Sequence, residues 1–74
     1  MRNIRHVPFP GDVLESADEQ RTVTEVTYAR AFNKLIVTFA LSKNRMTYCV
    51  YLNDWRKWAQ SADIIKDGAN DADI

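Results

Sequence analysis

Few residues in this chain have the types and spacing that chemistry requires. Cys49 is the sole thiol and His6 the sole imidazole. A nucleophilic cysteine needs a neighbouring base, commonly histidine, to form its thiolate. Here the base would have to come from "RHVPFP", a proline-flanked N-terminal segment. Cys49 itself lies inside the apolar run "MTYCVYLN", where a small sulphur side chain serves equally well as filler. The filler reading is the stronger one, and no catalytic residue is assigned. One histidine and one cysteine fall short of the four ligands a structural zinc usually takes, so no metal is expected. The two glycines, at 11 and 68, are too far apart for a phosphate-cradling loop, and no cofactor is expected. Asp18, Glu19, Asp71 and Asp73 fall in loop or tail stretches that fix no carboxylate pair at a catalytic separation. Glu25 lies within a strand pattern and reads as an outward or bulge residue. The chain therefore reads as a non-enzyme with no small-molecule substrate.

Charge says more. The 74 residues carry ten bases and ten acids, but unevenly. Residues 21–57 hold seven bases (Arg21, Arg30, Lys34, Lys43, Arg45, Arg56 and Lys57) against Glu25 and Asp54, between acidic flanks. Cations in a patch with aromatic platforms could bind nucleic acid. Arg30, Lys34, Lys43, Arg45, Arg56 and Lys57 are the candidates, with Tyr28, Phe32 and Tyr51 as platforms. The same cations also keep hairpin loops soluble, and the flanks partly cancel their field.

These residues need elements to hold them. Pro8 and Pro10 keep residues 1–10 extended and irregular. "PGD" turns the chain into a short strand, "DVLES", and "ADEQ" reads as a loop. "RTVTEVTYARA" is rich in threonine, valine and tyrosine, as strands are. Val23 falls on one face and Val26 with Tyr28 on the other, which predicts a bulge near Thr24–Glu25. "AFNK" is a turn, with Asn33 tolerant of positive φ. "LIVTFALS" alternates cleanly: Leu35, Val37, Phe39 and Leu41 share a face. "SKNR" closes the next hairpin, and "MTYCVYLN" places Met46, Tyr48, Val50 and Leu52 on one side. Asn53 or Asp54 caps a helix whose Trp55, Trp58, Ala59 and Ala62 form an apolar stripe. Ile64 and Ile65 make a brief closing strand. The expected core is Val13, Val23 or Val26, Leu35, Val37, Phe39, Tyr48, Val50, Leu52, Trp55 and Ile64.

The opening "GDVLES", the triple "RTVTEVTY", "KLIVTFAL", "MTYCVYLN" and the helical turn before "DII" together resemble the SH3-like small barrels of KOW or Tudor type. The likeness covers roughly residues 10–66. It implies a mainly β fold, a small barrel of five strands with a short helix before the last. An open sheet with the helix laid across it satisfies the same faces. The chain divides into an irregular N-terminal arm (1–10), a single barrel domain (11–67) and a disordered acidic tail (68–74). A Gly-Asp strand followed by a Trp-Arg-x-Trp-Ala helix also resembles small accessory proteins of phages and mobile elements.

No apolar run approaches the roughly 20 residues that span a bilayer, so no membrane partner is expected. The N-terminus has no apolar segment of the secretory kind. A single cysteine suits the reducing cytoplasm. In a closed barrel, Ile36, Cys49 and Tyr51 point outward on adjacent strands and form a candidate protein contact. The expected function is a small non-enzymatic binding module acting on a protein partner or on a second copy, with a homodimer arising if the short "DVLES" strand is an unprotected edge. The alternative is a nucleic-acid-binding domain using the hairpin bases.

Overall fold

A computed structural model of the chain describes residues 3–68. Among these residues, five antiparallel strands form one sheet: β1 (Val13–Ser16), β2 (Glu19–Ala29), β3 (Lys34–Leu41), β4 (Thr47–Tyr51) and β5 (Asp63–Lys66). Among the described residues one helical element, α1 (Leu52–Ala59), precedes β5. The sheet order is β4-β3-β2-β1-β5. The sheet is not closed: β4 and β5 are its two margins, so the expected closed barrel is corrected to an open sheet. The mainly β content, the strand count and the helix before the last strand are as expected.

Each turn has a local cause. β1 and β2 are joined by Ala17 and Asp18, both at positive φ (50° and 66°), with Ser16 paired to Glu19. This is a two-residue hairpin of the type that matches strand twist, where a four-residue loop was expected. Alanine gives no signal for that conformation. Asn33 closes the β2–β3 turn at φ 54°, as its side chain allows. In the β3–β4 turn Arg45, not Asn44, takes positive φ (60°). The expected bulge in β2 is present: pairing with β3 shifts register between Val23 and Glu25.

The bulge lets Val23 and the half-buried Val26 both face inward, where they join Leu14, Val37 and Phe39. Over this face lies α1, which buries Trp55 and Ala59 at the i, i+4 spacing of one helix face, followed by buried Ala62. The small alanines let the helix approach closely. Trp58 is half-buried against Trp55, ring centroids 5.2 Å apart. α1 starts after Tyr51, which is extended (φ −69°, ψ 152°) and makes no side-chain cap bond. The expected Asn53 or Asp54 cap is therefore corrected, and Asp54 instead complements the helix dipole from the first turn.

Several core assignments also change. Leu14, not Val13, is fully buried, because the β1 register pairs it with Arg21 on the inward side. Leu35, Tyr48 and Ile64 are 39%, 38% and 39% exposed, since an open sheet leaves its margins and hairpin ends uncovered. "DVLES" is not an edge: β1 lies between β2 and β5.

The N-terminal segment is docked, with Ile4 in the core. Arg5 Nε donates to the Ala62 carbonyl and Arg56 Nε to the His6 carbonyl. Asp12 is fully buried and accepts from the Phe9 N–H and the Gly68 N–H, each at 2.8 Å. Gly68 sits against Gly11; a Cβ on Gly68 would meet the Gly11 and Pro10 backbone at 2.5 Å. Of the expected tail, 69–74 lies outside the described residues.

Candidate protein-contact surface

The site is built from β4, "TYCVY", whose side chains alternate between the faces of the sheet. Tyr48 and Val50 face the helix side, opposite Phe39 and Val37. Thr47, Cys49 and Tyr51 face the open side, opposite Ala40, Thr38 and Ile36. The structure thus brings together the three residues expected to make a contact. Ile36 is half-buried and pairs directly with Tyr51, while Cys49 and Tyr51 are exposed. The Cys49 thiol has the Thr38 hydroxyl at 3.5 Å. His6 lies at α1 through its carbonyl, away from this face.

The β4 backbone is as informative as its side chains. Leu41 N–H donates to the Met46 carbonyl, and Arg45 N–H to the Leu41 carbonyl. From that closure the antiparallel ladder alternates, so Tyr48 and Val50 direct their backbone groups at β3. Thr47, Cys49 and Tyr51 direct theirs at the open margin. The Tyr51 carbonyl also begins the helix ladder, as an N-cap carbonyl does. Sequence reasoning missed this margin, because strand parity alone does not say which strand ends the sheet.

Two concave sites flank Tyr51. One, of about 430 Å³, is lined by Ile36, Cys49, Val50, Tyr51 and Asp54. The other, of about 300 Å³, is lined by Tyr28, Asn33, Lys34, Leu35, Tyr51, Leu52 and Asn53. Lys34 Nζ lies 4.7 Å from the Tyr51 ring centroid, a cation–π contact that steadies the ring. Tyr28 donates its hydroxyl to Asn33 Oδ1 across the hairpin.

The cations expected to bind nucleic acid are divided. Arg30 and Lys34 belong to the β2–β3 turn, Lys43 and Arg45 to the β3–β4 turn at the other end of β3, and Arg56 and Lys57 to the last turn of α1. Among the described residues, the cation most engaged with aromatic rings was not one of these. Arg21 lies 4.3 Å from the Phe39 centroid and 4.1 Å from that of Trp58, and its guanidinium pairs with Glu19. Its parity with Val23 was the available signal, since it places position 21 on the inward face. Tyr48 stacks on the other side of this cluster, 5.9 Å from Phe39.

Among the described residues, no group of three or more histidine, cysteine, aspartate or glutamate side chains is placed to hold a metal ion. No helix among them is long and apolar enough to cross a membrane. Comparison with known protein families, curated proteins and solved structures finds no match to this chain.

Proposed function

We propose that the chain is a small binding module that acts by protein contact along β4, with Ile36, Cys49 and Tyr51 as the contact residues. One observation carries this reading: β4 is a five-residue margin with no charge and no proline, and its outward backbone groups lie beside the cavities around Tyr51. Sheet margins are ordinarily blunted by charge, proline or a bulge, and β4 has none of these within its span. A polypeptide strand added there gains main-chain bonds, with side-chain pockets for selectivity. Tyrosine suits such a contact because it covers much area at low entropic cost. The strand order, with β1 between β2 and β5 and a helix before the last strand, supports an SH3-like small-barrel ancestry for the sheet. The test is Tyr51→Ala. Association, followed by sedimentation or partner capture, weakens about tenfold or more, as for truncation of an aromatic interface anchor. The thermal midpoint stays within a few degrees, because Tyr51 is exposed. Association unchanged by the substitution rejects the reading.

A second reading rests on Tyr48. Its hydroxyl accepts from Asn44 Nδ2, which holds an exposed ring beside the turn that carries Lys43 and Arg45. That is a base-stacking platform next to two cations. It predicts retention of single-stranded nucleic acid at low salt, lost on adding salt and weakened by Lys43→Ala with Arg45→Ala. No retention at low salt removes it.

A further inference from the structure

We infer that the occupant of the β4 margin is a second copy of this chain, paired antiparallel through its own β4 about a two-fold axis at residue 49. The inference rests on the protein-contact reading and names its partner. The two margins of the sheet differ. β5 is four residues long, carries Asp63 and Lys66 at its ends, and pairs with β1 through a register shift between Val13 and Leu14. Charge, shortness and irregularity are the features that discourage strand addition. β4 has a regular register over all five residues and no charged side chain. Pairing β4 with β4 uses the same patch on both copies and closes, whereas β4 with β5 would run on as an open chain of copies.

The register follows from the backbone. Thr47, Cys49 and Tyr51 present outward groups, so an antiparallel copy must match odd-numbered residues with odd-numbered residues. Setting Cys49 opposite Cys49 overlaps β4 from end to end. The two residues at 49 exchange a pair of backbone bonds, and each Tyr51 N–H meets the Thr47 carbonyl of the second copy. A shift of two residues either way leaves an outward position of each copy without a strand partner. The axis at 49 also sets Val50 beside Tyr48 of the second copy on the helix side, and Tyr51 beside its Thr47 on the open side. Aromatic and β-branched pairs of this kind stabilise neighbouring strands. Charge agrees at the ends: Arg45 leads into β4 and Asp54 follows it, so each copy brings its Arg45 toward the Asp54 of the other.

The experiment uses the axis itself. Residue 49 faces its own copy, so Cys49→Lys puts two like charges directly opposite, and Cys49→Glu does the same with the other sign. Wild-type protein is expected to sediment as a dimer at micromolar to millimolar concentration. Each single variant is expected to associate about tenfold more weakly or worse. Mixing the two variants restores association, an outcome that no distinct partner strand gives. Amide exchange of wild-type protein checks the same axis without substitution: the Cys49 and Tyr51 amides slow as concentration rises. A monomer across that range overturns self-pairing, and capture of another polypeptide that Tyr51→Ala abolishes would then leave the contact reading standing. A dimer indifferent to both charges and to Tyr51→Ala overturns both. A dimer broken by each charge but not restored on mixing, or with those amides unaffected by concentration, overturns the axis at 49.

Discussion

Trp55 carries an unusual burden for one side chain. It is fully buried between the sheet and Trp58, and its Nε1 has no hydrogen-bond partner among the described residues. A buried unsatisfied donor costs about 1–3 kcal/mol. Trp55→Phe removes that donor together with some apolar area, so the effects oppose. Its stability, measured as the urea midpoint at constant slope, is expected within about 1.5 kcal/mol of wild type. Trp55→Ala removes the same donor but far more apolar area, so the lost burial dominates and the expected cost is about 3–5 kcal/mol. Asp12 makes the converse case. Asp12→Ala strands the N–H groups of Phe9 and Gly68 and is expected to cost about 2–4 kcal/mol, read by the same titration. Asp12→Asn keeps one acceptor oxygen and falls between. Trp55 was legible in the sequence, because its spacing with Ala59 and Ala62 marks a helix face. Asp12 was not: "PGD" reads as a turn residue, and its partner Gly68 is 56 positions away.

At the scale of the element, the β1–β2 turn shows how local conformation can hide. Ala17 holds φ 50° with a Cβ present, a conformation that disfavours L-residues other than Gly, Asn and Asp. Ala17→Gly or Ala17→Asn is expected to raise stability by about 0.5–1 kcal/mol, seen as a thermal midpoint several degrees higher. The composition "ADEQ" signalled a break, which was right, but its length was not readable, since β2 begins at Glu19. The β2 bulge was readable, because Val23 and Val26 cannot face the same way in an unbroken strand. The helix start was misplaced by two or three residues, since Asn53 and Asp54 both favour capping whereas the chain leaves β4 at Tyr51.

For the whole molecule, the shared face of the proposed contact residues was legible from alternation alone: Ile36, Cys49 and Tyr51 fall on the side opposite Val37, Phe39 and Val50. The fate of that face was not. Alternation fixes which side chains share a surface, but closure depends on whether β4 meets β5, and no pattern in either strand encodes that. Open margins explain the exposed Leu35, Tyr48 and Ile64, which a closed barrel would cover. The packing of the two glycines sets a further expectation. A Gly68→Ala Cβ would lie 2.5 Å from the backbone of Gly11 and Pro10, so one segment must move. The variant is expected to lose about 1–3 kcal/mol, with exchange of the Phe9 amide hastened before that of the β2–β3 ladder.

The grip of Asp12 on Gly68 bears on how the chain is made. β1 is made before its outer neighbour β5 and the amide that completes the Asp12 shell, which follow some fifty residues later. The meander of β2, β3 and β4 is complete in the chain before β5 is made. The last seal must wait until Gly68 has been made, and until then the Asp12 carboxylate lacks one of its donors.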